Sequence, residues 1–170
     1  LAEHASIASF SRFALDLMAF GAPANLVEAA HRAAQDEVRH AKMCFALASA
    51  YKGESIEPGP LPVSFTPSQS LEELVEATIA EGCVGETLAV IRAAERLRVA
   101  TDPAVRTALE CIVADERHHS LLAWDTVRWA LGVGGAAMNT RVQKAFARHS
   151  GKPAYHGDNV DAPQAAGHGF

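Results

Sequence analysis

Two short phrases of this 170-residue chain hold the side chains best suited to chemistry: Asp36-Glu37-Val38-Arg39-His40 and Asp115-Glu116-Arg117-His118-His119. Each sets an imidazole three residues after a carboxylate and puts a second acid just before that carboxylate. Three residues turn an α-helix through about 300°, so Glu37 and His40 point the same way, one turn apart, as do Glu116 and His119. Buried without partners, such groups would cost on the order of several kcal/mol each. Paired inward Glu-x-x-His units therefore call for metal.

The elements that must position them are helical. Alanine dominates, glycine and proline cluster in a few places, and strand-like alternation is absent, so the fold class is all-α. The first predicted helix runs to about Phe20 and stops at Gly21-Ala22-Pro23; the second runs from about Ala24 to Tyr51. The stretch from Gly53 to Ser70 contains Pro58, Pro60, Pro62 and Pro67 and reads as a long crossover connection. Ser70, with Glu73 completing a capping box, opens a third helix that reaches about Val99. Thr101-Asp102-Pro103 opens a fourth, which is predicted to end near Gly132. Residues 1–131 thus form the bundle, and residues 132–170 an extension with a short amphipathic helix over 138–149 and a loose tail from Gly151.

The two halves resemble each other. Leu1–Phe10 lies over Ile79–Leu88 at an offset of 78, while Glu37 over Glu116 and His40 over His119 share an offset of 79. A duplicated helical hairpin with one residue absorbed in a loop would give this pattern, and it pairs Glu3 with Glu81. Steps of three and four in the second helix read Leu26, Ala30, Ala33, Glu37, His40, Cys44, Leu47; in the fourth they read Val105, Leu109, Ile112, Glu116, His119, Ala123. The ionisable groups thus sit on the apolar stripes that face a core. Glu86 competes with Glu81. Five residues separate them, about 140° around a regular helix, so both cannot face the cluster, and the repeat favours Glu81.

One Glu from each of two helices and a Glu-x-x-His from each of the other two is a constellation that holds two metal ions. Four carboxylates balance two divalent cations and repel one another without them. Oxygen and imidazole donors without thiolate suit iron or manganese better than a structural zinc. Glu37 and Glu116 are expected to bridge, Glu3 and Glu81 to be outer carboxylates able to shift and open a position, and His40 and His119 to serve one ion each. Asp36 and Asp115 are placed to accept the second ring N–H of the opposing histidine.

These motifs resemble the ferritin-like di-iron carboxylate superfamily over about residues 1–131. Asp36–His40 matches in full the D-E-x-R-H pattern of its oxygen-activating branch; the second copy departs, with His118 where that branch has Arg. The resemblance implies a ferritin-like antiparallel four-helix bundle of two helical hairpins and a hydrogen-bonding role for Arg39 beside the ligands. It implies two iron ions, or manganese or a mixed pair, that bind O2 or peroxide and oxidise or hydroxylate a small organic substrate with an outside electron donor. Other activities within the superfamily are ferritin-type iron oxidation and storage, and peroxide scavenging of the rubrerythrin or manganese-catalase kind. The proline-rich crossover argues against a closed storage shell, and no four-cysteine module like that of rubrerythrin is present.

Composition narrows the partners. A net charge of −5 with 15 Lys+Arg leaves no basic footprint for nucleic acid. No apolar run approaches the roughly 18–20 residues of a membrane span. Cys44, Cys83 and Cys111 are sparse and odd in number, favouring free thiols and a cytoplasmic setting. The chain opens at Leu1, within a helix, so an upstream extension is expected; a homodimer is a further expectation. Gly82 and Gly85 flank Glu81, either for close helix packing or as a thin wall beside the metals. His4 and His118 are expected at the rim. Tyr51 lies about three turns beyond His40, which disfavours a tyrosyl radical.

Overall fold

Glycine and proline set the boundaries the chain adopts in the computed structural model, which describes residues 2–63 and 65–149. Helix α1 (Ala2–Ala19) ends at Gly21, whose φ of 69° is left-handed, and Pro23 precedes α2 (Ala24–Lys52). Gly53, at φ 74°, closes α2 by donating its N–H to the Ser49 carbonyl. The crossover is clipped to α1 at Asp16, a buried carboxylate that accepts from the Ser68 N–H (3.1 Å) and hydroxyl (2.7 Å).

Ser70 caps α3 (Leu71–Ala77) by accepting from the Glu73 N–H. The Glu73 carboxylate accepts from Gln69 N–H, so the reciprocal half of the expected box falls one residue earlier. Helix α3 runs into a π-helical segment (Thr78–Glu86) and then α4 (Thr87–Val99), and these three together make the third rod. Asp102 caps α5 (Pro103–His149) by accepting from the N–H groups of Ala104 and Val105. Helix α5 passes its expected end near Gly132 and breaks at Gly135, which takes φ 57° and ψ −146°.

The result is an all-α bundle of four rods, as the sequence predicts, with no strand among the described residues. Helix α1 packs on α2, α2 on α5, and α5 on the third rod. Contacts of Asp36 with His119 and of Asp115 with His40 set α2 and α5 antiparallel. One core cluster joins Phe10, Ala14, Leu17, Leu26, Ala30 and Leu122; another joins Val75, Ile79, Cys83, Val127 and Ala130. The helix expected over 138–149 forms, and Met138, Val142 and Ala145 enter the second cluster. Burying a side chain such as Met138 or Val142 stabilises by about 1.5–3 kcal/mol, so this stretch belongs energetically to the bundle. Arg148 and His149 also pair with Glu76 of α3. The tail from Gly151 lies outside the described residues. No helix among those described is long and apolar enough to cross a membrane.

Regular periodicity gives no warning of the π segment, but its chemistry is readable afterwards. Thr78 and Thr87 donate their hydroxyls to the carbonyls of Leu74 and Cys83, each at 2.7 Å, at the two borders where the carbonyl-to-amide pattern widens. Gly82 sits where a Cβ would lie 2.5 Å from that of Ala123, so only glycine lets the segment lie this close to α5. Of the two readings of Gly82, close helix packing is the one the structure supports.

Candidate metal centre

Glu37 (1% exposed), His40 (0%), Glu116 (3%) and His119 (2%) meet in the interior between α2 and α5. Each imidazole is held from outside by the acid of the other motif. His40 Nε2 donates to Asp115 Oδ2 at 2.9 Å, and His119 Nε2 faces Asp36 Oδ2 at 3.3 Å. Arg39 ties the two acids together, donating to Asp36 at 2.8 Å and Asp115 at 2.7 Å. With Nε2 carrying its hydrogen outward, both Nδ1 atoms point inward at carboxylates. His119 Nδ1 lies 3.1 Å from Glu116 Oε2 and 3.3 Å from Glu37 Oε1. His40 Nδ1 lies 3.6 Å from Glu37 Oε2 and 3.7 Å from Glu116 Oε1, beyond hydrogen-bond reach.

The carboxylates grouped with these four are Glu3 and Glu86. Ligand atoms of Glu3, Glu37, His40 and Glu116 all lie within 4.8 Å of one another, and so do those of Glu86, Glu116 and His119. Glu81 is elsewhere: its side chain is 61% exposed and pairs with Arg12 of α1 at 3.3 Å. The structure does not bring Glu81, expected as an outer carboxylate, to the cluster; Glu86 lies there instead. The two residues do face different ways, as their spacing requires, but the π segment shifts the helical phase and carries Glu86 inward instead. A repeat alignment that assumes one helical period on both sides cannot register such a shift. The signal available in the sequence was Glu86 itself, four residues after Gly82 on an apolar segment.

Burial and close charges shift the titration of the centre. Burial, then the charges of Glu37 and Glu116, pushes the Glu3 carboxyl up to about 7. Burial, then hydrogen bonding with Glu116, pushes Glu86 up to about 10. Burial alone would lower His119, but Glu116 and Glu37 outweigh it and raise the imidazole to about 10. His40 is raised in the same way against its burial, by Glu37 and Asp115. Glu37, which burial would raise, is held below the usual carboxylate range by the two histidines. Asp115 likewise resists burial and drops to about 2 beside His40 and Arg39, so it accepts from His40 as an anion.

The donor set fits a pair of divalent cations. Glu37 Oε2 and His40 Nδ1 are fully buried and have no hydrogen-bond partner among the described residues. A buried lone pair left facing carboxylates demands a proton or a metal ion. Donors about 2.1 Å from an octahedral ion stand about 3 Å apart at right angles, close to the spacings of 3.1 to 3.7 Å found here. Four carboxylates and two imidazoles, without thiolate, suit iron or manganese.

The Phe10 ring lies 4.8 Å from that of His119 and screens it on the α1 side. His4 is half-buried, edge-on to Phe45, and His118 is exposed, so neither joins the donors. The cysteines are free; Cys83 is buried, its thiol pushed up to about 12 by burial, and Cys111 donates to Asp115. Trp124 stacks on Phe146 at 5.2 Å, and Trp129 packs against the core. Tyr51 is exposed and donates to Asp102. Comparison with known proteins returns no match: no family model, no curated protein and no solved structure.

Proposed function

We propose that this chain is a di-metal carboxylate oxidoreductase of ferritin-like arrangement, holding two iron or manganese ions and activating O2 to oxidise or hydroxylate a small organic substrate. Glu37 and Glu116, each within 3.7 Å of both histidines, would serve both ions, with Glu3 and His40 holding one and Glu86 and His119 the other. The observation that carries this reading is the reciprocal wiring. Both histidines are anchored outward by acids and turned inward with Nδ1 toward carboxylates, and two of the inward atoms are orphaned. A merely structural ion-pair network would satisfy those atoms.

When bound, the ions supply redox equivalents and Lewis acidity toward O2. The chain's own residues do the rest. Asp115 and Asp36 fix the tautomer and orientation of His40 and His119, and Arg39 fixes the two acids relative to each other. Phe10 and the apolar stripes keep bulk water from the donors, which strengthens every charge interaction inside. Glu3 and Glu86, the carboxylates contributed from outside the α2–α5 pair, would hold the outer positions.

The test is to load the full chain with ferrous iron anaerobically, mix it rapidly with O2 or with peroxide, and follow iron oxidation optically. Prompt oxidation by O2, with a candidate substrate consumed in step, is the expected result. Reaction with peroxide alone would shift the activity to peroxide scavenging. A large multi-subunit cage by light scattering, with many irons per chain, would shift it to storage. Retention of fewer than two metal equivalents would end the reading.

A further inference from the structure

Helix α4 is held on one side only. It continues the π segment and packs on α5, and Ala93 is its one buried residue. Its outward side carries two exposed aliphatics, Ile91 (48%) and Val99 (59%), and three exposed arginines, Arg92, Arg96 and Arg98. At about 100° per residue, Ile91 and Val99 stand about 40° either side of Glu95, Arg98 and Arg92 about 60° out on opposite sides, and Arg96 at about 100°. The strip thus has an aliphatic centre crossed by one carboxylate, with cations on both edges.

These cations are unspent. Arg12, Arg32, Arg39, Arg106, Arg128 and Arg148 each pair with a carboxylate. Arg92, Arg96 and Arg98 form no ion pair among the described residues, and neither does Glu95. The Thr87 and Ser120 hydroxyls meet at 3.0 Å and Gly82 faces Ala123, so α5 runs antiparallel to this rod. Arg117, exposed and one turn before Ser120, therefore lies near the level of Ile91. The four are arginines, which protein interfaces favour over lysine because a guanidinium is weakly hydrated and takes a carboxylate with two donors. In a chain of net charge −5, such a local positive field selects an acidic partner.

The place of the strip narrows the partner further. Glu86, grouped with Glu116 and His119, immediately precedes α4, and Ile91 follows five residues later. That is about 7.5 Å along the helix, so a protein seated on the strip sits beside the centre. A lipid surface fits less well, because an interfacial helix needs its apolar face free and the buried side of α4 is already packed. Resting on the di-metal reading above, we infer that the outward strip of α4, with Arg117, is the docking surface for a small acidic one-electron carrier protein. Electrons balance at one per encounter: the carrier is oxidised by one electron, and two encounters return two ferric ions to ferrous.

The probe is an acidic plant-type [2Fe–2S] ferredoxin. Its binding to the metal-free full chain, measured by calorimetry, is independent of the di-metal reading. Affinity is expected to fall by about tenfold or more between about 20 and about 500 mM salt. Combining Arg92→Ala, Arg96→Ala and Arg98→Ala should weaken low-salt binding by about tenfold or more, with helix content verified by circular dichroism. Arg141 lines a cavity with Glu72, Glu73 and Glu76, so Arg141→Ala with Lys144→Ala is the control and should change binding by less than about twofold. In the iron-loaded chain, oxidation of reduced ferredoxin should slow in parallel in the triple variant, at unchanged iron content. No binding, binding indifferent to salt, equal losses in variant and control, or a preference for phosphatidylglycerol vesicles overturns the docking surface and leaves the metal centre standing. Binding without electron transfer to a chain holding two irons overturns the carrier role. Fewer than two metal equivalents overturns the di-metal reading and with it the carrier role, whatever the calorimetry gives.

Discussion

The first half of the chain, α1 with α2, and the second half, the third rod with α5, present the same inner chemistry by different means. Glu37 with His40 and Glu116 with His119 come from regular helices, and their partner acids cross over reciprocally. The outer carboxylates do not match. Glu3 stands in the first turn of an ordinary α-helix, whereas Glu86 closes a nine-residue π-helical segment packed through Gly82 against Ala123. The inner set demands a fixed three-residue spacing and is carried by any helix. The outer carboxylate needs only to arrive, and the second half brings it in by changing helical phase.

The strongest way to break the comparison is to remove what both halves share. Glu37→Ala with Glu116→Ala is expected to abolish binding of both ions, measured as metal per chain after dialysis. Retention of either ion would show that these carboxylates do not bridge. Next comes the point where the halves differ. Glu86→Ala should cost about one equivalent, whereas Glu81→Ala should leave metal content unchanged, since its pairing with Arg12 is surface-exposed and contributes about 0–1 kcal/mol at most. The opposite outcome would restore the offset of 78 as the true structural correspondence.

The supporting acids sharpen the contrast at smaller scale. Asp115→Ala and Asp36→Ala should each weaken metal affinity by about 10- to 100-fold, with Asp115→Ala the more severe because its contact with the histidine is shorter and it holds more donors. Competition with a chelator of known affinity measures both. Equal losses would mean that the longer 3.3 Å contact at Asp36 serves its histidine as well as the shorter one does.

Much of this was legible in the sequence because it depends on short-range periodicity. Glu37, His40, Glu116 and His119 fall on apolar stripes that a regular helix buries, and all four are buried. The reciprocal reach of Asp36 and Asp115 follows from their position one residue before Glu37 and Glu116. Capping by Ser70 and Asp102 was legible for the same reason: one side chain bonds amides two or three residues away. The sequence repeat favours Glu81 over Glu86 because it implies equal turns per residue in both halves, and the π segment violates that equality. The run of α5 past Gly132 was hidden for another reason. A glycine permits a helix to stop without requiring it, and packing of Met138 and Val142 on the core decides the matter.

Gly82 offers a smaller perturbation aimed at the difference alone. In Gly82→Ala the new Cβ would lie 2.5 Å from that of Ala123. The π segment must then move off α5, at an expected cost of about 1–3 kcal/mol in unfolding free energy from denaturant titration. Gly59, which has open space around it, is the control position and should accept alanine with little change. A stabilised Gly82→Ala would mean that the segment relaxes toward a regular helix.

The gentlest probe is pH, applied to the metal-free chain. Glu3 rises from 4.5 to about 7, Glu86 from 4.5 to about 10, and His119 from 6.5 to about 10, so each holds its proton more tightly folded than unfolded. Such groups stabilise fully below their unfolded values and lose that contribution as pH climbs through the folded ones. Asp115, lowered from 3.8 to about 2, has the opposite sense, but its contribution is lost only as pH falls through the acid range. Stability without metal should therefore decline as pH rises from about 5 to 10. Bound cations should reduce or reverse the decline, because they take the place of the protons. The halves separate within that window. Glu3→Gln should flatten the decline around pH 7 and Glu86→Gln the part nearer pH 10, both read from melting temperature in chelator across the range. A melting temperature that climbs steadily with pH in the unaltered chain would mean that the buried carboxylates are ionised there and that their repulsion is relieved by something other than protons.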